Sequence, residues 1–155
     1  MSAATITTYQ WYLAIHILAA VIWVGGGTTI HLFALRARAA EDPQRMAAFS
    51  ADAEWVGTRV FTPVSLVLIV FGFLLIHEGN WDYKFWIVFP IVVWIASFIS
   101  GAGFLGPQSK RLKLAIDRGD TVEAQTIQDR IFLVSRVELL FLTLVVLDMA
   151  LKPGN

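Results

Sequence analysis

WYLAIHILAAVIWVGGGTTIHLFAL, residues 11 to 35, contains no Asp, Glu, Lys or Arg. At ~1.5 Å rise per residue such a run makes a helix of ~37 Å, enough to cross the ~30 Å hydrocarbon core of a bilayer. Hydrocarbon penalises polar side chains, and ionisable groups placed in it are usually paired or functional. His16 and His31 stand where an ordinary lipid-facing helix carries Leu. The stretch implies a helical membrane bundle and raises the question of what its imidazoles hold.

Further apolar runs lie downstream. Val60 to Ile76 is near the lower length limit for a span, and Phe85 to Ser109 is free of charge. Ile131 to Leu151 is interrupted by Arg136, Glu138 and Asp148 but is otherwise dominated by Leu, Val, Phe and Met. The expected fold is all-α, a single membrane domain over residues 1–155 with four transmembrane helices near 10–35, 60–78, 85–106 and 131–151. Composition points the same way. Apolar residues make up 57% and charged residues 15%, against about 45–50% and about 25% in average globular chains.

Charge and cysteine usage exclude several function classes. Twelve basic and twelve acidic residues cancel, and no basic face suggests a nucleic-acid surface. The absence of cysteine removes disulfides, thiolate ligands, iron–sulfur clusters and covalent c-type haem. The first ten residues carry no Lys or Arg, so a signal-peptide n-region is not expected and the first run is read as a retained span. No nucleophile–base constellation, phosphate loop or zinc motif is present, and enzyme activity stays open.

Loop charges give an orientation. Arg36, Arg38, Arg45 and Arg59 lie between the first two runs, and Lys110, Arg111, Lys113, Arg118, Arg130 and Arg136 lie between the third and fourth or just inside the fourth. Only Lys84 and Lys152 fall on the other side. The positive-inside rule then places both termini outside, with helical extensions in the cytoplasm. Trp11, Trp81, Trp86, Tyr9, Tyr12 and Tyr83 fall near the outer ends, as an aromatic belt would. Asp42-Pro43 reads as an N-cap with Pro at N1. Pro63 is expected to bend or restart helix two, and Pro107 to close helix three. Gly119 can end a short amphipathic segment from Lys110 to Arg118, and Asp120 with Glu123 resembles a capping box.

One face of helix one is readable. At ~100° per residue Trp23 and Gly27 each lie ~20° from His16 and His31 lies ~60° away, so the four share a stripe. The two histidines are ~22 Å apart along the axis and cannot share one small metal ion. Gly25, Gly26 and Gly27 between them let a backbone or a flat cofactor approach, or simply pack a helix. Helix three pairs small residues at Ala96 and Ser100, Ser97 and Gly101, and Ala102 and Gly106, a helix-packing signature.

Two polar clusters are expected by depth. The outer one gathers His16, His77, Glu78, Asp148 and Met149; the inner one gathers His31, Arg59, Arg136 and Glu138. His16 reads either as an axial ligand to a b-type haem, or a copper ligand, or as an imidazole hydrogen-bonded to a neighbouring helix. His77 and Met149 are the candidate second ligands, with a solvated interface group and an apolar filler as their plain alternatives. Glu138 is expected to face the bundle and to have a partner, an Arg ion pair being the plain choice.

The stretch from Ala14 to Gly26 resembles helix one of two families, the membrane domain of CopD copper-resistance proteins and the HemJ-type protoporphyrinogen oxidases. Both show a His, a Trp seven residues on and nearby glycine, here His16, Trp23 and Gly25-Gly26. Arg136-Val137-Glu138 through Leu151-Lys152-Pro153 is similar to the HemJ tail. The whole chain is most similar to an uncharacterised bacterial family of small integral membrane proteins in this broader group. HemJ proteins carry Pro-Arg-Leu-Phe late in helix one, where this chain has Ile30-His31-Leu32-Phe33. The resemblance implies a multi-pass protein of the bacterial inner membrane, with His16 as the haem-linked histidine and Lys152 as the terminal lysine. It implies haem b in a redox or porphyrin-linked role, or alternatively copper handled by His16, His77 and Met149. A third reading is a cofactor-free structural subunit. The lipid bilayer is the expected partner, with a homo-oligomer or a redox partner as further possibilities.

Overall fold

The computed structural model describes residues 7–153. Among these residues the chain forms four helices and no strand. Helix α1 runs Thr8–Ala39, α2 Pro43–Glu78 and α3 Phe85–Asp117, and α4 runs Thr121–Leu151. Each of α1, α2 and α3 is long and apolar enough to cross a membrane. Helix α4, with 31 residues, is ~46 Å long, but its apolar stretch is broken by charge.

The helix starts follow the local chemistry. Thr7 opens α1 with a reciprocal capping box: the Gln10 N–H donates to Thr7 Oγ1 at 3.3 Å and the Thr7 N–H donates to Gln10 Oε1 at 2.8 Å. Asp42 accepts from the Gln44 N–H at 2.9 Å, with Pro43 at the first helical position. Asp120 accepts from the Glu123 N–H at 2.9 Å, and Gly119 before it takes the left-handed φ of +72° that a turn there requires. The Glu123 side chain does not return to the cap; it pairs with Arg118 at 2.7 Å.

Pro63 and Pro107 behave differently from the expectation. Helix α2 does not restart at Pro63, and α3 does not close at Pro107 but continues to Asp117. A π-helical turn lies immediately upstream of each, at Gly57–Phe61 and Gly101–Leu105. The Thr62 and Gly106 N–H groups reach back five residues to Gly57 and Gly101. Widening the turn relieves the clash between a proline ring and the preceding carbonyl, so the helix passes through a residue that otherwise breaks it. A third π turn, Val21–Gly25, interrupts α1 at the glycine run. Threonine hydroxyls cap carbonyls around these turns: Thr28 on Val24 at 2.9 Å, Thr29 on Gly25 at 2.9 Å and Thr62 on Gly57 at 3.0 Å.

Packing divides the bundle into two pairs. The N-terminal part of α1 packs along the C-terminal part of α2, and α3 packs along α4. At the end that carries the loop arginines, the basic end, all four helices converge on a core of Ala37, Met46, Leu112, Ala115, Ile127 and Phe132. Toward the other, tryptophan-rich end, the Trp94 indole N–H donates to the Ser65 carbonyl at 3.0 Å and ties α3 to α2.

Candidate functional site: a cavity between the helix pairs

A cavity of ≈ 520 Å³ lies between the two pairs, in the size range typical of small-molecule and cofactor sites. All four helices contribute to it. Trp23, Gly27 and His31 come from α1, Phe61 and Ser65 from α2, Ser97, Gly101 and Ala102 from α3, and Ser135 and Glu138 from α4. Each π turn supplies wall residues: Trp23 from the first, Gly57, Thr58 and Phe61 from the second, Gly101, Ala102 and Leu105 from the third.

The glycines explain how the space is kept open. A Cβ built at Gly57 or Gly101 would meet no heavy atom within 4 Å. The small-residue stripe of α3 is therefore spent in part on volume: Gly101, Ala102 and Gly106 face the cavity where the pattern predicts a tight helix contact. Of the three α1 glycines only Gly26 makes a close approach; a Cβ there would stand 2.7 Å from Phe61 Cε1.

The polar content of the wall is sparse and specific. Hydroxyls of Ser50, Thr58, Thr62 and Ser65 donate to carbonyls of their own helix, which leaves the wall largely apolar. Glu138 and His31 are the ionisable side chains of the deep wall. Glu138 is half-buried and lines the cavity together with the buried Ser97 of α3. His31 sets its ring edge-on to Phe132 with 5.8 Å between centroids. The Arg38 guanidinium lies 5.1 Å from the Phe132 centroid. At the basic end Lys110 pairs with Glu54 at 3.2 Å, and both border the cavity.

The structure brings together part of each expected cluster. Of the inner group, His31 and Glu138 share the cavity, while Arg59 and Arg136 are exposed. Glu138 forms no ion pair among the described residues. Of the outer group, His16 turns to α2. Its Nδ1 lies 2.9 Å from the Leu68 carbonyl oxygen, and its ring covers Gly72, where a Cβ would stand 3.2 Å from Cε1. His77 and Glu78 are exposed and Met149 is half-buried. Asp148 is buried, and its Oδ2 finds no hydrogen-bond partner among the described residues. Lys152 holds its ammonium 4.5 Å from the Trp81 ring and 5.2 Å from the Trp86 ring. No three His, Asp or Glu side chains gather around one point among the described residues.

The stripe read along α1 splits for a physical reason. The π turn at Val21–Gly25 lies between His16 and Gly27 and shifts the helical phase. Trp23, Gly27 and His31 line the cavity and His16 does not. Sequence reasoning did not anticipate Phe61, Ser65 or Ser97 as wall residues, or the cavity itself. The signal for two of the walls is visible in hindsight, a glycine six residues before a proline: Gly57 with Pro63 and Gly101 with Pro107.

These features define a small polytopic helical membrane protein with an internal cavity. The chain belongs to the family described as predicted integral membrane protein (DUF2269), whose model matches residues 11–153. No curated protein and no solved structure matches it.

Proposed function

We propose that the chain is an intramembrane binding protein for a small amphipathic molecule, which occupies the cavity between the helix pairs. One observation carries this reading: three helices place a π turn at the wall of the same cavity. A π turn is a poorer helix than the regular form and is frequently retained at functional sites. Here the turns coincide with glycines that leave volume and with two polar side chains, His31 and Glu138, that can orient a guest. The test is solvent extraction of the detergent-purified protein followed by mass spectrometry. A stoichiometric small molecule is expected from the native chain and not from Gly101→Leu, which fills space that no neighbouring atom occupies. An equal yield from both removes the cavity as the site.

Haem b is a second reading, favoured by the His16 hydrogen bond. If Nδ1–H donates to the Leu68 carbonyl, Nε2 keeps its lone pair, the arrangement usual in ligating histidines. The fit is incomplete. The cavity begins at Trp23, ~10 Å further along α1 than His16, and the ring at His16 is packed on Gly72. His31 is the imidazole inside the cavity. An absorption spectrum with elemental analysis separates the outcomes: a Soret band lost in His16→Ala or in His31→Ala names the ligand. Bound copper lost in His16→Ala, His77→Ala and Met149→Ala supports the metal reading. Neither signal leaves the cofactor-free subunit.

A further inference from the structure

We propose that the cavity selects a lipophilic organic cation, with the Glu138 carboxylate as its counter-charge; this rests on the binding reading above and names the ligand class. Glu138 projects from α4 into a space walled by Trp23, Phe61 and Phe98. A carboxylate at membrane depth is costly, and the usual remedy is a basic partner. None is provided: Glu138 forms no ion pair among the described residues, and the polar side chain that α3 adds to the wall beside it is the neutral Ser97. The arginines that could have served, Arg59 and Arg136, are exposed.

The other charges at the wall do not offset it. Lys110 is engaged with Glu54 at 3.2 Å, so the rim carries a matched pair. The Arg38 guanidinium sits on the Phe132 ring and pairs with Asp129. What remains for a guest, beside the His31 imidazole, is one acidic group and aromatic rings. A cation gains from both, through Coulomb attraction in a low-dielectric setting and through the ring quadrupoles. An anion meets repulsion, and a neutral guest leaves the carboxylate without its counter-charge. The apolar walls require that the cation carry a hydrophobic body.

The experiment uses three probes of similar shape and different charge: tetraphenylphosphonium, tetraphenylborate and neutral triphenylphosphine oxide. Equilibrium binding is measured on the full chain in detergent. The native chain is expected to prefer tetraphenylphosphonium at least tenfold over the other two. Glu138→Gln is expected to erase that preference, and Glu138→Asp, which keeps the charge, to retain part of it. Thermal unfolding of each variant checks that the bundle is intact. Equal binding of all three probes to the native chain, lost in Gly101→Leu, overturns the cation assignment and leaves the binding cavity standing. A preference that survives Glu138→Gln in a folded protein likewise removes Glu138 as the counter-charge. Binding of none of the probes, with nothing recovered by solvent extraction, overturns both readings.

Discussion

The His16 imidazole and the Leu68 carbonyl are 2.9 Å apart, and this contact joins α1 to α2 in the half of the bundle away from the cavity. A part-buried hydrogen bond of this kind is worth ~1 kcal/mol net, and leaving one partner unsatisfied costs ~1–3 kcal/mol when it is shut off from water. Gly72 completes the arrangement, because a methyl group there would press the ring at 3.2 Å. Gly72→Ala is therefore expected to destabilise the native chain by ~1 kcal/mol and to cost little in a His16→Ala background. A double-mutant cycle read by denaturation in detergent checks this; additive effects would show that ring and glycine are uncoupled.

Pro107 gives a second prediction. A proline in a regular helix interior costs ~3 kcal/mol. The π turn at Gly101–Leu105 lies directly ahead of it and relieves the clash. Pro107→Ala should then change stability by less than about 1 kcal/mol, far from the ~3 kcal/mol that a strained proline would release. Unfolding midpoints of the two chains decide it.

Arg38 and Asp129 form the shortest ion pair among the described residues, at 2.6 Å, but their side chains are 43% and 63% exposed. Exposed pairs contribute ~0.2–1 kcal/mol and are screened by salt. Arg38 also covers the Phe132 ring at 5.1 Å. Arg38→Ala should consequently cost more than Asp129→Ala, and only the second loss should vanish at high salt. Equal losses at both salt concentrations would assign the whole effect to the pair.

Lys152 serves two purposes that substitution can separate. It terminates α4 in the left-handed region, φ 46°, and places its ammonium over Trp81 and Trp86. Lys152→Ala loses the cation and keeps the backbone strain; Lys152→Gly loses the cation and relieves the strain. Alanine is expected to be the less stable by ~1 kcal/mol. Matching midpoints would mean that the left-handed cap carries no cost here.

Sidedness is the remaining prediction. From the charge pattern the C-terminus is expected outside. A reporter fused after Asn155 that is active only outside the cytoplasm should give signal, and a cytoplasmic signal would mean that α4, with Arg136, Glu138 and Asp148, does not complete a crossing.

Much of the fold was legible because its causes are local. Charge-free runs mark α1 and α3, and Asp42-Pro43 and Asp120 start α2 and α4 through their own side chains. Pro107 misled because a proline usually ends a helix, and the widened turn that lets it pass depends on the tertiary setting of Gly101–Leu105. The site was legible in part. That Glu138 and His31 share the interior follows from the cost of ionisable groups in hydrocarbon, and both reach the cavity. That Ser97 lines the same cavity as Glu138, or that His16 faces Leu68, depends on the rotation of neighbouring helices, which one sequence does not reveal.

The widened turns at Val21–Gly25, Gly57–Phe61 and Gly101–Leu105 also bear on how variants of this chain are to be interpreted. Each acts as a one-residue insertion, so the angular register on one side is offset from that on the other. Spin labels or crosslinking cysteines spaced by sevens along α1, α2 or α3 land on different faces when a turn intervenes. Deleting a single residue inside a turn restores a common register and so rotates half a helix, whereas the same deletion elsewhere destroys one. Tolerance to single-residue deletion thus becomes a map of where the three helices change phase.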